Sequence, residues 1–474
     1  MKISADSADY VPGPIESVPD DILACVPPNG VLHHYLWWVA KTTDTPPWFH
    51  VGAALVLLAQ EACRRGFTIG DGEFRITPTV WAAIIGPSGH GKSTALRRAQ
   101  QFADDINAVR HTPDPFVNAE GSMEGIFEAL TDHYEADRDT TIAILYREEF
   151  ARLLEPQRRD GVSALLCEIA DGVPIKRHLR GARREERNGQ KVGTKLRKPR
   201  ICGLFATTYS ALRRTTTADH IEGGLFSRFL FFLDEQKAEN LRLYATDRPK
   251  AKDSALKAWI NWLLWLDSQE ALGTKPLIRI PPEVHELVEI SLFETLQTAV
   301  RQHDILTPMY KRGIVQVYAV AGLFALSAGR TTVMSEDADL AVNLIERSLL
   351  SLRQLVPELG VSVLAQQMNL AFKAILAAGD RGVSRSRIYE IARGSKKAVD
   401  LILETLIDEG SVELRQAPKP KGPGRPPMLY VARSNERYGR DCIVPQGQGS
   451  ASVVDLEAAR AQREHTALDE SEAE

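Results

Sequence analysis

The chain has 474 residues, which is too long for one compact core and fits about two or three domains. Hydrophobic residues make up 44% and charged residues 25% of the chain, so the composition excludes a fibrous or largely disordered protein. The formal net charge of -4 at pH 7 does not favour a surface that attracts nucleic acid everywhere, although charge is unevenly distributed along the sequence.

The N-terminal region is expected to be helical after a loosely ordered start. Residues 1–29 are rich in proline and acidic side chains. Residues 31–40 and 48–63 carry apolar side chains at helical spacing, which predicts two packed helices. His33 and His34 raise the question of a metal site. Because no further ligands lie at a workable spacing, we interpret them as ordinary helix histidines.

A phosphate-binding loop is the strongest signal in the chain. Residues 78–85 form an apolar, β-rich segment typical of a buried strand, and the sequence GPSGHGKS that follows matches the pattern G-x-x-x-x-G-K-[ST]. In such a loop backbone N–H groups wrap the phosphates, Lys92 reaches the β and γ phosphates of ATP, and Ser93 can bind Mg²⁺. The residues predicted to bind nucleotide here are Gly86, Pro87, Ser88, Gly89, His90, Gly91, Lys92, Ser93 and Thr94.

Two consecutive carboxylates follow a second predicted strand, residues 140–146. The carboxyl end of an apolar strand is where α/β proteins place their ligands, and the pattern looks like a Walker B motif. We expect Glu148 to hold Mg²⁺ and Glu149 to polarise the attacking water. The alternative is a solvated acidic strand end. Because the usual first carboxylate is Asp, the division of roles between Glu148 and Glu149 stays open.

Two further polar residues lie near the ends of apolar segments. Thr208 follows a third predicted strand, residues 200–207, where a sensor of the γ-phosphate would lie, and a simple strand-end cap is the alternative. Arg228 lies within the apolar segment 223–229, before a fourth predicted strand, residues 229–233. A lone arginine in such a segment is costly to bury unless it is paired with an anion.

Together these motifs resemble helicase-like P-loop ATPases of the AAA+ type carried by phages, plasmids and integrated elements. They are also similar to the minichromosome maintenance helicases. The resemblance covers about residues 31–433 and is specific only in the four ATPase motifs. It implies that Arg228 is an arginine finger offered to the ATP of a neighbouring subunit, and hence a homo-oligomeric ring, usually a hexamer. A structural salt bridge is the alternative role for Arg228.

The resemblance extends into a largely helical region, residues 251–355. Residues 310–328 and 333–350 are similar to the lid helices of the same families. The similarity implies that either Lys311 or Arg312 senses the nucleotide, with Arg312 taken as the cofactor-binding residue. The alternative is a pair of surface cations at the start of a helix.

A strongly basic segment separates the second and third strands. Residues 176–200 hold eleven Lys and Arg against two Glu, and Asn-Gly at positions 188 and 189 indicates the turn of a hairpin. The resemblance implies a hairpin that grips a nucleic-acid backbone in the channel of a ring. A solvated loop or a protein-binding surface is the alternative. The expected DNA contacts are Arg177, Arg180, Arg183, Arg184 and Lys191.

The C-terminal part is predicted to form a winged helix. Its expected elements are helices at residues 368–376, 384–392 and 395–409 and strands at residues 411–415 and 429–432. Because winged helices also dock on proteins, the partner is left open between DNA and protein. DNA contacts are expected from Lys396 and Lys397, at the start of the candidate recognition helix, and from Arg425 in the wing.

These observations predict an α/β fold, namely a P-loop NTPase core with a helical lid and a C-terminal winged helix. The five cysteines show no CxxC spacing, the N-terminus lacks an apolar signal core, and no apolar run reaches the ~20 residues that span a bilayer. We therefore expect a cytoplasmic protein. The predicted domains are an N-terminal helical region (1–75), the ATPase core (76–240), the lid (241–360), the winged helix (361–433) and a disordered acidic tail (434–474).

The leading hypothesis is an oligomeric, Mg-ATP-dependent DNA motor that acts as a helicase in the replication of a mobile element. A nucleotide-driven switch that remodels a protein partner, in antiphage defence or element regulation, is the alternative, and it has no need of the basic hairpin. A small-molecule kinase is disfavoured because it has no evident use for a trans-acting arginine or a winged helix.

Overall fold

The described residues of the computed structural model fall into two compact units, with the boundary between positions 360 and 361. The structure describes residues 18–71, 74–120, 122–135, 139–155, 159–176, 186–187, 190–191, 195–216, 220–221, 223–235, 248–271, 276–301, 307–355, 363–392, 396–408, 410–416 and 428–432.

The N-terminal unit contains eleven described helices and thirteen described strands. The helices are α1 (Asp20–Leu23), α2 (Gly30–Thr42), α3 (Pro47–Arg64), α4 (Lys92–Arg110), α5 (Met123–Thr131), α6 (Arg159–Ala170), α7 (Tyr209–Thr215), α8 (Arg248–Ala271), α9 (Pro282–Arg301), α10 (Thr307–Ser327) and α11 (Ser335–Leu355). The strands are β1 (Thr68–Gly70), β2 (Arg75–Ile76), β3 (Trp81–Ile85), β4 (Phe116–Asn118), β5 (Tyr134–Glu135), β6 (Thr140–Arg147), β7 (Ile175–Lys176), β8 (Glu186–Arg187), β9 (Gln190–Lys191), β10 (Lys195–Leu196), β11 (Arg200–Thr207), β12 (Leu230–Leu233) and β13 (Leu277–Arg279).

A six-stranded sheet forms the centre of this unit. Its strand order is β12-β3-β11-β6-β4, all neighbours in that order are parallel, and β5 pairs antiparallel with β6. β3 and β11 are apolar almost throughout and buried, as expected for parallel strands covered on both faces. The predicted α/β fold is confirmed as a mostly parallel sheet flanked by helices. Because the strands are parallel, β3, β6, β11 and β12 all end at one edge of the sheet.

Helix α3 packs against the sheet and carries buried side chains on nearly every face. Its residues from Trp48 to Gln60 are all buried, which is the pattern of a helix inside a core. Pro47 fits the first turn, where an N–H has no intrahelical acceptor. A Cβ atom at Gly52 would lie 2.7 Å from the ring of Phe232 on β12. Only glycine therefore allows the observed approach of α3 to this strand.

Most of the predicted elements of this unit agree with the structure. Strands predicted at residues 140–146 and 200–207 match β6 and β11, and the two N-terminal helices match α2 and α3. The largely helical region 251–355 also contains β13, which the sequence did not indicate. This short strand pairs in parallel with β1, with Thr68 opposite Leu277. None of the described helices combines the length and the apolar character needed to cross a bilayer.

The C-terminal unit has its own small core. Antiparallel pairing gives a three-stranded sheet with the order β14 (Val383–Ser384), β16 (Met428–Ala432) and β15 (Val412–Gln416). The apolar side chains of the three helices and these strands cluster together. Lys396 begins the third helix, but the side chains of Lys396 and Lys397 lie outside the described residues, as do Arg425 and residues 433–474. The helices are α12 (Val363–Ala378), α13 (Arg385–Ala392) and α14 (Lys396–Asp408).

His50 is a buried titratable group in α3. It is 0% exposed, and neither ring nitrogen has a hydrogen-bond partner among the described residues. Burial lowers the pKa of His50 from 6.5 to about 3. Between these two values the imidazole is protonated in the unfolded chain and neutral in the folded chain. The contribution of His50 to the free energy of unfolding is therefore largest above about pH 6.5 and falls as the pH is lowered toward 3.

We expect His50→Phe to remove about 2 kcal/mol of the stability loss between pH 7 and pH 5, because the phenyl ring stays neutral. The measurement is urea denaturation at both pH values, followed by tryptophan fluorescence. All seven tryptophans belong to the N-terminal unit. His111→Asn is the control, since His111 is exposed and its φ of 55° suits Asn. An unchanged pH dependence in His50→Phe would contradict the interpretation.

Candidate functional site

A cavity of about 1280 Å³ lies at the edge of the sheet where β3, β6 and β11 end. Most of the residues predicted to bind nucleotide or metal line it, although they come from segments far apart in the chain. Gly86 does not line the cavity, but its carbonyl accepts a hydrogen bond from a lining residue. The predicted residues brought together are Pro87, Ser88, Gly89, His90, Gly91, Lys92, Ser93, Thr94, Glu148, Glu149 and Thr208.

The loop between β3 and α4 needs glycine for its shape. Gly91 has a φ of 80°, in the left-handed region, and a Cβ atom there would lie 2.5 Å from Oγ1 of Thr45. Both the backbone and the space therefore exclude other residues at this position. Gly91 is also the N-cap of α4, so no capping side chain competes for the first N–H groups of this helix. These N–H groups and the helix dipole favour an anion at the cavity.

Lys92 supplies the buried ammonium group of this loop. Its Nζ donates hydrogen bonds to the carbonyl oxygens of Gly86, at 2.8 Å, and Pro87, at 2.5 Å. Burial lowers the pKa of Lys92, because the charged form is poorly solvated. An anion close to Nζ would stabilise that charged form. An ammonium group has three N–H donors, of which these contacts use two. The loop therefore positions the ammonium group of Lys92 where it can bind phosphate.

Glu148 and Glu149 enter the cavity directly after β6. An Oε atom of Glu148 lies 3.7 Å from Nε of Arg97 on α4, and Glu149 pairs with Arg152. The Glu148 side chain is 44% exposed and that of Glu149 is 58% exposed, so these ion pairs are weak. Both carboxylates are therefore free to exchange an arginine for a metal or a water molecule.

The donor set of the cavity fits Mg²⁺ bound together with a nucleotide. Mg²⁺ is usually held by one or two protein oxygens, substrate phosphates and water rather than by a protein cage. The hydroxyl of Ser93 and the carboxylate of Glu148 both line the cavity. Across the part of the chain that the structure describes, no group of three or more His, Cys, Asp or Glu side chains could hold a metal alone. Nucleotide phosphates would supply the missing ligands.

Thr208 has a structural role as well as a place in the cavity. Its Oγ1 accepts a hydrogen bond from the backbone N–H of Ala211 at 3.2 Å, so it caps α7. The alternative interpretation as a cap thus describes a contact that is present. Since Thr208 also lines the cavity, the two roles do not exclude each other.

Several lining residues were not identified from the sequence. Asp44, Thr45 and Pro46 connect α2 to α3, and Arg214 belongs to α7. Asp234 follows β12 and contacts the loop, with its Oδ1 3.1 Å from Nε2 of His90. The place of Asp234 after an apolar strand is the same signal that pointed to Glu148, and it was available in the sequence.

Arg228 and Arg312 do not line the cavity and instead converge on Asp171. Nε of Arg228 donates to Oδ1 of Asp171 at 3.0 Å and its Nη2 to Oδ2 at 2.5 Å. Arg312 donates to the same carboxylate. Although burial raises the pKa of Asp171, hydrogen bonds from Arg228 and the charge of Arg312 together hold it below its ordinary value. The salt bridge weighed for Arg228 is therefore present, with Arg312 as a second partner.

The basic segment contains two antiparallel strand pairs. β7 pairs with β10, and β8 pairs with β9, with Arg187 opposite Gln190. This pairing is that of a hairpin, as predicted from the Asn-Gly signal. The side chain of Lys191 lies outside the described residues, as do Arg177, Arg180, Arg183 and Arg184.

Comparison with protein-family models found no match, and no curated protein matched the sequence.

Proposed function

We propose that the chain is a P-loop ATPase of the AAA+ type that hydrolyses Mg-ATP, with a helical lid and a C-terminal winged helix. The observation that supports this most strongly is the convergence of three segments on one cavity. The loop that carries Lys92, the carboxylates Glu148 and Glu149, and the strand end at Thr208 are distant in sequence and share the same space. A phosphate site, a metal-binding oxygen and a water-orienting carboxylate are the parts that phosphoryl transfer needs.

Each side chain has a definite task in this proposal. Loop N–H groups and Nζ of Lys92 bind the β and γ phosphates, and Ser93 and Glu148 hold the metal. Mg²⁺ neutralises phosphate charge when it is bound. Glu149 orients a water molecule in line with the γ phosphate, and Thr208 contacts that phosphate. Arg228 does not line the cavity of its own chain and instead acts as an arginine finger at the cavity of a neighbouring subunit in a ring.

We further propose that hydrolysis moves DNA past the basic hairpin. Eleven Lys and Arg between positions 176 and 200 supply a strong positive field that binds phosphate without regard to sequence. The C-terminal unit, proposed as a winged helix, offers a second place for DNA. A switch that remodels a protein partner would use the same cavity without DNA.

Neutralising the hairpin tests the DNA motor. We expect the variant with Gln at positions 177, 180, 183, 184 and 191 to bind single-stranded DNA weakly, and its salt slope to fall by about 3 to 4 because each lost phosphate contact contributes about 0.7. Basal ATP hydrolysis should stay within about twofold, since the residues proposed to bind the phosphates and the metal are unchanged. The measurements are DNA binding across a salt range and steady-state hydrolysis with and without DNA.

A matched control removes the same charge elsewhere. It carries Gln at five exposed positions outside both the hairpin and the cavity, and should keep wild-type DNA affinity. If the hairpin variant also keeps wild-type affinity and stimulation by DNA, the motor proposal fails and the protein-remodelling switch becomes the better explanation. The control positions are Lys41, Arg75, Lys250, Arg279 and Arg353.

A further inference from the structure

Asp171, Arg228 and Arg312 form a hydrogen-bonded cluster between the end of α6, helix α10 and the turn before β12. Arg228 is held on two sides, since its Nε and Nη2 donate to Asp171 and its Nη1 donates to the carbonyl of Gly224. That carbonyl also accepts the hydroxyl of Ser227 at 2.8 Å. Gln316, one turn beyond Arg312 on α10, donates to the carbonyl of Ser227 at 3.3 Å. The turn, the helix and the carboxylate therefore fix one another.

The charge and exposure of the cluster suit an anion from outside. Two guanidinium groups share the carboxylate of Asp171, so that carboxylate only partly neutralises each arginine. The side chain of Arg312 is 35% exposed and that of Arg228 is 13% exposed, so the cluster reaches the surface mainly through Arg312. An arginine carries five N–H donors, and the contacts to Asp171 and Gly224 leave part of each fork available. Neither arginine lines the cavity of its own chain.

We propose that Asp171 is a positioning residue that holds Arg228 and Arg312 as one unit against the terminal phosphate of a nucleotide bound by a second copy of this chain. The inference rests on the proposed function. A flexible arginine loses rotamer freedom when it is fixed. The salt bridges to Asp171 already fix both arginines in the free subunit, so they lose less conformational freedom when they meet the nucleotide. Asp171 itself does not touch the nucleotide.

Single variants separate positioning from nucleotide binding. We expect Asp171→Asn, which keeps the size and removes the charge, to lower kcat for ATP hydrolysis about 10- to 100-fold, since small misplacement of a reacting group has effects of this size. KM for ATP should stay within about twofold, because the binding loop is untouched. Asp171→Glu keeps the charge and should recover most of the activity. An unchanged kcat in Asp171→Asn would overturn the proposal.

Mixed oligomers show on which side of the interface Asp171 acts. A Lys92→Ala chain supplies intact arginines and an Arg228→Ala chain supplies an intact cavity, so their mixture should recover hydrolysis. Adding Asp171→Asn to the Lys92→Ala chain should reduce that recovery about 10-fold or more, in line with the single variant. The same substitution in the Arg228→Ala chain should leave it unchanged.

The two failures are distinguishable. Equal loss of recovery in both arrangements would show that Asp171 has a merely structural role, and would overturn the inference while the proposed function stands. No recovery in the parent mixture would remove the trans-acting arginine, and would overturn the inference together with that part of the proposed function. Thermal unfolding of each variant, measured alongside, checks that every chain is folded.

Discussion

Replacing Lys92 by Ala is expected to lower steady-state ATP hydrolysis by about 10²-fold or more, because removal of one preorganised charged donor in a phosphoryl-transfer site costs this much. Nucleotide affinity should fall as well, since Nζ lies at the loop proposed to bind the phosphates. Hydrolysis of ATP by purified protein and equilibrium binding of a fluorescent ATP analogue measure the two effects separately.

The fold should survive the loss of Lys92. Its ammonium group is buried with two carbonyl contacts and a lowered pKa, so it contributes little to folding stability and serves the ligand instead. Lys41→Ala is the matched control, because Lys41 is exposed and outside the cavity. Full hydrolysis by a folded Lys92→Ala protein would reject the P-loop ATPase proposal.

The features that the sequence predicted well are those set by neighbouring residues. The shape of the loop depends on Gly91 and the helix start at Lys92, which lie side by side in the chain. β6 and β11 are long apolar runs, and such runs are typical of buried parallel strands. Glu148 and Glu149 line the same cavity as the loop, because strand ends of a parallel sheet share one edge.

The features that the sequence did not predict depend on contacts between distant segments. β1 and β13 are only three residues long, and they pair across about 200 positions of sequence, so neither carries a local signal. Asp171 is one of many acidic residues in the sequence. Its pairing with Arg228 and Arg312 appears only after α6, α10 and the turn before β12 have packed together.

The two roles considered for Arg228 are a structural salt bridge and a trans-acting arginine finger. They can be distinguished only when subunits are assembled. In one chain Arg228 is a salt-bridged residue away from the cavity, which by itself is no argument for catalysis. A structural salt bridge and a trans-acting finger share these contacts within the subunit. They differ in what the remaining N–H donors meet when a second copy is present.

Arg228→Ala is accordingly expected to lower hydrolysis by about 10³-fold or more in the assembled protein, the effect typical of an arginine finger, while ATP affinity stays near wild type. Wild-type hydrolysis per subunit should rise with protein concentration as neighbours assemble, and the variant should stay low at every concentration. Steady-state hydrolysis over a concentration range, with molar mass measured by light scattering, provides both results.

Arg347→Ala is the control for losing an ion-paired arginine. Arg347 pairs with Asp21 and lies over the ring of Trp48, away from the cavity and the Asp171 cluster. Both variants should lose about 1–3 kcal/mol of folding stability, yet only Arg228→Ala should lose hydrolysis. In Arg228→Ala, Asp171 keeps Arg312 as a partner, which limits the cost of the exposed carboxylate. If Arg228→Ala hydrolyses ATP as fast as Arg347→Ala, the salt bridge is structural and each subunit works without an arginine from its neighbour.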